Sequence, residues 1–148
     1  MERDVLALTP AATGGWTAEL SCLHVQRIEA TAPRPSIGST LDCPRCDRAE
    51  LPEGLQIVRA TATWAEGSMP AALRRAHRVA SGRWGRLRVE EGQVRFRAAT
   101  TPPFDVLIGP GGAQPIPPGV DHDVEPQGPV RFFVEFLEKP PLAPDDAR

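Results

Sequence analysis

The sequence predicts an all-β protein, a closed barrel or a sandwich, with a small cysteine-bearing β module at its N-terminal side. Three observations carry that prediction. Short runs of alternating or β-branched residues recur at regular intervals from residue 16 to residue 137. Glycine and proline, 13 and 17 of 148 residues, punctuate the gaps between those runs, as tight turns require. No stretch has the 3.6-residue apolar period of a long helix, and no internal repeat is visible.

A chain of 148 residues can build one core and a small module beside it. Leu51-Pro52-Glu53-Gly54 marks the expected boundary, which gives a module over residues 1–50, a barrel over 51–139 and a disordered tail over 140–148. The net charge is −2, and neither half is a basic tail. Generic binding to nucleic acid or to a membrane surface is therefore not expected. No apolar run is long enough to span a bilayer, and Met1-Glu2-Arg3-Asp4 has no signal-peptide design. The expected location is the cytoplasm, where thiols stay reduced. Three closely spaced cysteines then argue for a metal or free thiols rather than a disulfide framework.

The elements follow in order. A weak alternation at Val5, Ala7 and Thr9 predicts a first strand, and Gly14-Gly15 a turn. Residues 16–22 alternate as a strand, with residues 25–30 as the partner. Residues 31–39 read as a loop and 41–46 as a compact turn. Residues 55–64 form a strand that places Leu55, Ile57, Arg59, Thr61 and Thr63 on one face. Pro70 starts one helical turn near 69–75. Residues 84–89 and 93–96, joined through Gly92, have the signature of a hairpin. Residues 104–108, 114–116, 122–124 and 130–137 complete the strands. Pro115, Pro117 and Pro118 make a stiff approach to His122.

In the first module, Cys22 and His24 form one short pair, and Cys43 and Cys46 another. Four sulfur and nitrogen donors in two pairs suit a structural zinc site, with every position filled by protein. A module this small buries little core, so the metal would supply much of its folding energy. The alternatives are a redox-active Cys43/Cys46 pair or three unrelated thiols. Leu20-Ser21-Cys22-Leu23-His24 and Cys43-Pro44-Arg45-Cys46 resemble an uncharacterised bacterial zinc-ribbon-like family. Leu23 stands where that family usually has glycine. Leucine resists a positive φ, which bears on how tight the first knuckle can be.

The barrel holds two histidines, His77 and His122. With Glu135, mid-strand between apolar neighbours, they could form a site with open positions for water or a small ligand, suited to Zn, Fe, Mn or Ni. Glu125 is an alternative to Glu135, and a buried salt bridge to a neighbouring arginine is the alternative role for Glu135. Arg86 and Arg88 share one strand face, either a solvated face or an anion-recruiting rim.

Leu51-Pro52-Glu53-Gly54-Leu55, Gly82-Arg83-Trp84-Gly85-Arg86-Leu87, Pro117-Pro118 to His122, and Gly128 to Phe136 resemble the small cupin domain of TehB-like and YeaR-like tellurite-resistance proteins. The resemblance implies a double-stranded β-helix. It also sets His77 and His122 near two of the usual cupin metal positions. Val79 and Gly85 then stand where a second histidine and a glutamate belong. No glycine-rich strand–turn–helix segment for S-adenosylmethionine is present, so methyltransferase activity is not implied.

Three functions remain open at this level. The first is a metal-binding cupin that recognises a small molecule or oxyanion in a stress response. The second is a metal-dependent enzyme of oxygenase or hydrolase type. The third is a degenerate scaffold for protein–protein interaction. Cupins commonly pair through β-edges, so a homodimer is also expected by analogy.

Overall fold

The structure is a computed structural model and describes residues 1–141. All but the first two residues of the expected tail 140–148 lie outside the described residues. Among the described residues, twelve strands make up nearly all of the regular structure, with a four-residue helix at Pro44–Asp47 and a 3₁₀ turn at Ala71–Arg74. No helix among the described residues is long and apolar enough to cross a membrane.

The N-terminal sheet has the order β3-β2-β1-β4, from β1 (Glu2–Pro10), β2 (Trp16–Leu20), β3 (Val25–Ile28) and β4 (Thr40–Asp42). The strands expected at residues 16–22 and 25–30 pair as anticipated. The expected compact turn at 41–46 is instead the end of β4 followed by the helical turn that carries Cys46. Pro44 at its first position suits the fixed φ of proline.

The remaining strands form two curled antiparallel sheets, as in a β-barrel. One has the order β10-β7-β12-β5, with the short β6 also on β12. It uses β5 (Gln56–Ala60), β6 (Trp64–Ala65), β7 (Trp84–Glu91), β10 (Ala113–Ile116) and β12 (Arg131–Glu138). The other has the order β11-β8-β9, from β8 (Val94–Ala98), β9 (Phe104–Ile108) and β11 (His122–Pro126). Leu87, Val89, Val94, Phe96, Ile116, Val124 and Phe132 form the core between them.

One expectation is corrected here. β7 and β8 are not a hairpin: β7 pairs with β10 and β12, while β8 pairs with β9 and β11. The turn at Gly92 carries the chain from one sheet to the other. Gly92 has φ +74°, and a Cβ there would sit 2.1 Å from the carbonyl oxygen of Pro129. The close crossing of backbones at this corner therefore excludes any other residue.

The two units share a core. Trp84, fully buried at the start of β7, packs in the cluster of Val5, Leu20, Cys22 and Cys46 rather than in the barrel interior. Its indole N–H donates to the carbonyl of Cys22 at 2.6 Å. Replacing Trp84 by phenylalanine would leave that buried carbonyl without a partner. We expect a loss of about 1–3 kcal/mol, read as a lower urea midpoint for the whole chain.

Candidate metal centre and barrel pocket

The first site grows from two turns. After β2 the chain reverses through Leu23, whose N–H bonds to Leu20 O at 2.9 Å and whose φ is +73°. The leucine that stands in place of glycine does adopt the left-handed conformation, and the knuckle is tight. The cost of that backbone for a residue with a Cβ is about 1–2 kcal/mol. After β4, the Cys43 carbonyl accepts from Cys46 N–H at 3.1 Å, which folds the second pair back on itself.

The result brings Cys22, His24, Cys43 and Cys46 together, all buried, with donor atoms within 4.8 Å of one another. The thiols are free. His24 Nδ1 lies 3.3 Å from Cys22 Sγ, 3.3 Å from Cys43 Sγ and 3.6 Å from Cys46 Sγ, and the Cys22 and Cys43 sulfurs are 3.8 Å apart. A tetrahedral zinc with ordinary bond lengths would set edges of about 3.8 Å between sulfurs and about 3.6 Å between sulfur and nitrogen. The cluster could therefore hold a metal ion with little movement. His24 Nε2 lies 2.7 Å from the carbonyl of Glu50. A carbonyl accepts only, so Nε2 carries the proton and the Nδ1 lone pair faces the sulfurs. The Trp84 indole stacks edge-on against this imidazole at 5.3 Å.

Burial and mutual hydrogen bonding split the three thiols. Cys22 is pushed down to about 4, chiefly by the hydrogen bond from Cys46. Cys46 is pushed up, by the same bond and then by burial, and Cys43 is raised chiefly by burial. A cation among the three sulfurs would displace the protons they carry.

The second site is a cavity of about 220 Å³ in the barrel, lined by Arg59, Thr61, Trp64, Leu73, His77, Val79, Ile116, His122, Val124, Val134 and Phe136 among others. It is smaller than the usual range for drug-sized ligands, about 300–1,000 Å³, so its occupant must be small. His77 and His122 meet across a two-way backbone bridge, N–H to carbonyl at 2.8 and 2.9 Å, and their rings are 5.5 Å apart. The proline-rich approach is clamped by Gly119 N–H to Val79 O at 2.9 Å. His122 is buried, and its Nδ1 lies 3.3 Å from Val120 O. That contact places the proton on Nδ1 and leaves Nε2 as a lone pair.

The structure brings the two histidines together but not the third expected donor. Glu135 lies on the opposite face of β12 from Val134 and Phe136, and it pairs with Arg86 at 2.9 Å and Arg88 at 3.7 Å. The expected His77–His122–Glu135 set is corrected accordingly, and the salt-bridge alternative for Glu135 is what the structure contains. The same alternation removes Arg86 and Arg88 from the pocket rim. Glu125 is exposed and bonded to Arg97. A glutamate at position 85 would be crowded: a Cβ there would meet Val79 at 3.2 Å and Ile116 at 3.3 Å. The barrel residues thus do not fit a four-ligand cupin metal. Among the described residues, the cysteine cluster is the one group of three or more metal-ligating side chains.

Arg59, Thr61 and Trp64 at the pocket were not singled out from the sequence. The one-face alternation of residues 55–63 held the signal, because it sets Arg59 and Thr61 side by side. Their position over the histidines depends on β5 pairing with the far end of β12.

Residues 59–134 match the family described as TehB-like domain. The chain is also similar to a solved protein from E. coli (strain K12), with a TM-score of 0.56 and 24% identity, over 62% of this chain and 98% of that one. A second similar structure is TehB from Haemophilus influenzae, with a TM-score of 0.53 and 21% identity, over 59% of this chain and 32% of that one. At these identities the likeness shows the fold alone. No curated protein matches the sequence.

Burial, reinforced by the nearby His77, lowers the His122 pKa despite the bond to Val120. An unfolded histidine binds a proton below about pH 6.5 that the folded one refuses. Stability is therefore full above that value and falls as pH drops through it. We expect His122→Gln to flatten this part of the decline, measured as urea midpoints from about pH 8 down to about pH 5.5.

Proposed function

This chain belongs to the TehB-like domain family, and on that premise we propose that it is a small-molecule-binding cupin of tellurite-resistance type, stapled by a structural zinc ion and without methyltransferase activity. The observation that carries the reading is the pairing of His77 and His122 with Arg59 around a small, mainly apolar cavity.

The donor pattern supports a small oxyanion as the ligand class. Among the described residues Arg59 enters no salt bridge within the protein, and its guanidinium lies over the Phe136 ring at 5.2 Å. It is a cation available to an anion. His122 offers the reverse, a lone pair on Nε2 that needs a donor. A small oxyanion that keeps one proton near neutral pH satisfies both, with O–H to His122 and O⁻ to Arg59. A divalent Zn, Fe, Mn or Ni at the same imidazoles would need its remaining ligands from the bound molecule or water.

The cysteine cluster supports zinc by its chemistry. Three thiolates and one imidazole with tetrahedral edges favour a soft or borderline cation. All four positions are taken by Cys22, His24, Cys43 and Cys46, so the ion would act in folding and not on substrate.

Two measurements test the reading. Isothermal titration should show tellurite and selenite binding more tightly than nitrite, which keeps no proton near neutral pH. His122→Ala and Arg59→Met should each weaken binding by about tenfold or more. Absence of binding by all three anions at about millimolar concentration would refute the pocket assignment. Elemental analysis should find about one zinc per chain, lost in Cys43→Ala and kept in His122→Ala.

A further inference from the structure

Arg3 is the polar side chain that the packing leaves unexplained. It lies on β1, in register with Leu41 of β4, two residues before Cys43. Its Nε and Nη2 atoms are buried and have no hydrogen-bond partner. Desolvated, unpaired guanidinium donors are costly, and native proteins seldom keep them. The nearby Asp47 feels the charge of Arg3, yet its carboxylate is already taken by the N–H of Thr101 at 2.9 Å. On its other side the guanidinium meets the proline-rich loop, with Nη1 3.7 Å from where a Cβ on Gly119 would stand.

A cluster of three thiolates, one neutral imidazole and a divalent ion carries a net charge of −1. Metal-bound thiolates remain hydrogen-bond acceptors, and outer partners of that kind tune the affinity of such sites. We propose that Arg3 is the charge partner of the metal–thiolate centre, donating N–H···S hydrogen bonds to metal-bound Cys46 and holding the centre against the Gly119 loop of the barrel. Arg3 lies close enough to Cys46 for its charge to act on that side chain, and its strand partner Leu41 leads directly into Cys43. Thiolates held by an ion would give these donors their acceptors. Arg3 is a positioning residue in this role. It touches no substrate, and it couples the first module to the segment that presents His122.

The inference rests on reading the four-residue cluster as a metal centre, and the test separates the two. Full-length protein is loaded with Co²⁺, and affinity is read by competition with a chromophoric chelator. Wild type should give the intense thiolate-to-cobalt charge-transfer bands of a tetrahedral site. Absence of any binding by wild type would refute the centre itself. Arg3→Met should bind about 10–100-fold more weakly, with its charge-transfer band moved to lower energy because the thiolates lose their hydrogen bonds. Arg3→Lys keeps the charge without the planar fork, and should recover part of the affinity. A packing role for Arg3 would not move the band. Wild-type affinity and an unshifted band in Arg3→Met would overturn the proposal. If Arg3→Met does not fold, the same two readings on Arg3→Lys decide it.

Discussion

Strand alternation along the paired β7 and β12 is the constraint on which the remaining architecture depends. Val134 stands opposite Leu87, Phe136 opposite Gly85 and Glu135 opposite Arg86. A strand sends successive side chains to opposite faces. One face therefore holds Leu87, Val134 and Phe136 and closes the barrel and its cavity. The other holds Arg86, Arg88 and Glu135 as a partly shielded ion-pair cluster. Trp84, on that outer face, is directed into the N-terminal module. Cavity, salt bridge and inter-module contact are three outcomes of a single two-residue period.

The same constraint explains why the barrel is poor in metal ligands. The inward positions Leu87 and Val89 of β7 and Phe132, Val134 and Phe136 of β12 are apolar, and His122 comes from β11. A side chain at position 85 would press against Val79 and Ile116, which stand directly in front of it. What remains is a buried imidazole held neutral by its surroundings, a second imidazole beside it and an arginine from β5. That set is the basis of the proposed recognition of a small polar anion.

Metal-ligating capacity is concentrated instead in the first module, where there is little core. The four ligand residues are buried, and one of them, Cys22, also supplies the carbonyl that accepts from Trp84. The centre and the barrel are thus joined through one buried hydrogen bond and a shared apolar cluster. A backbone strain at Leu23 is tolerated because the surrounding turn is held by hydrogen bonds on both sides, Leu23 N–H to Leu20 O and Leu20 N–H to His24 O.

The sequence alone determined the all-β class, the places of most strands and the four residues of the cysteine cluster. Those features are local: turn glycines, two-residue alternation and short ligand spacings act over a few residues. It also identified His77 and His122 as barrel histidines. Only the tertiary structure decided which strands pair, so that the Gly92 turn became a sheet-to-sheet corner and not a hairpin. That pairing decided which face of β12 turned inward. It moved Glu135, Arg86 and Arg88 away from the pocket and brought Arg59 to it. A side chain's face depends on register with strands distant in the chain, and no window of the sequence contains that register.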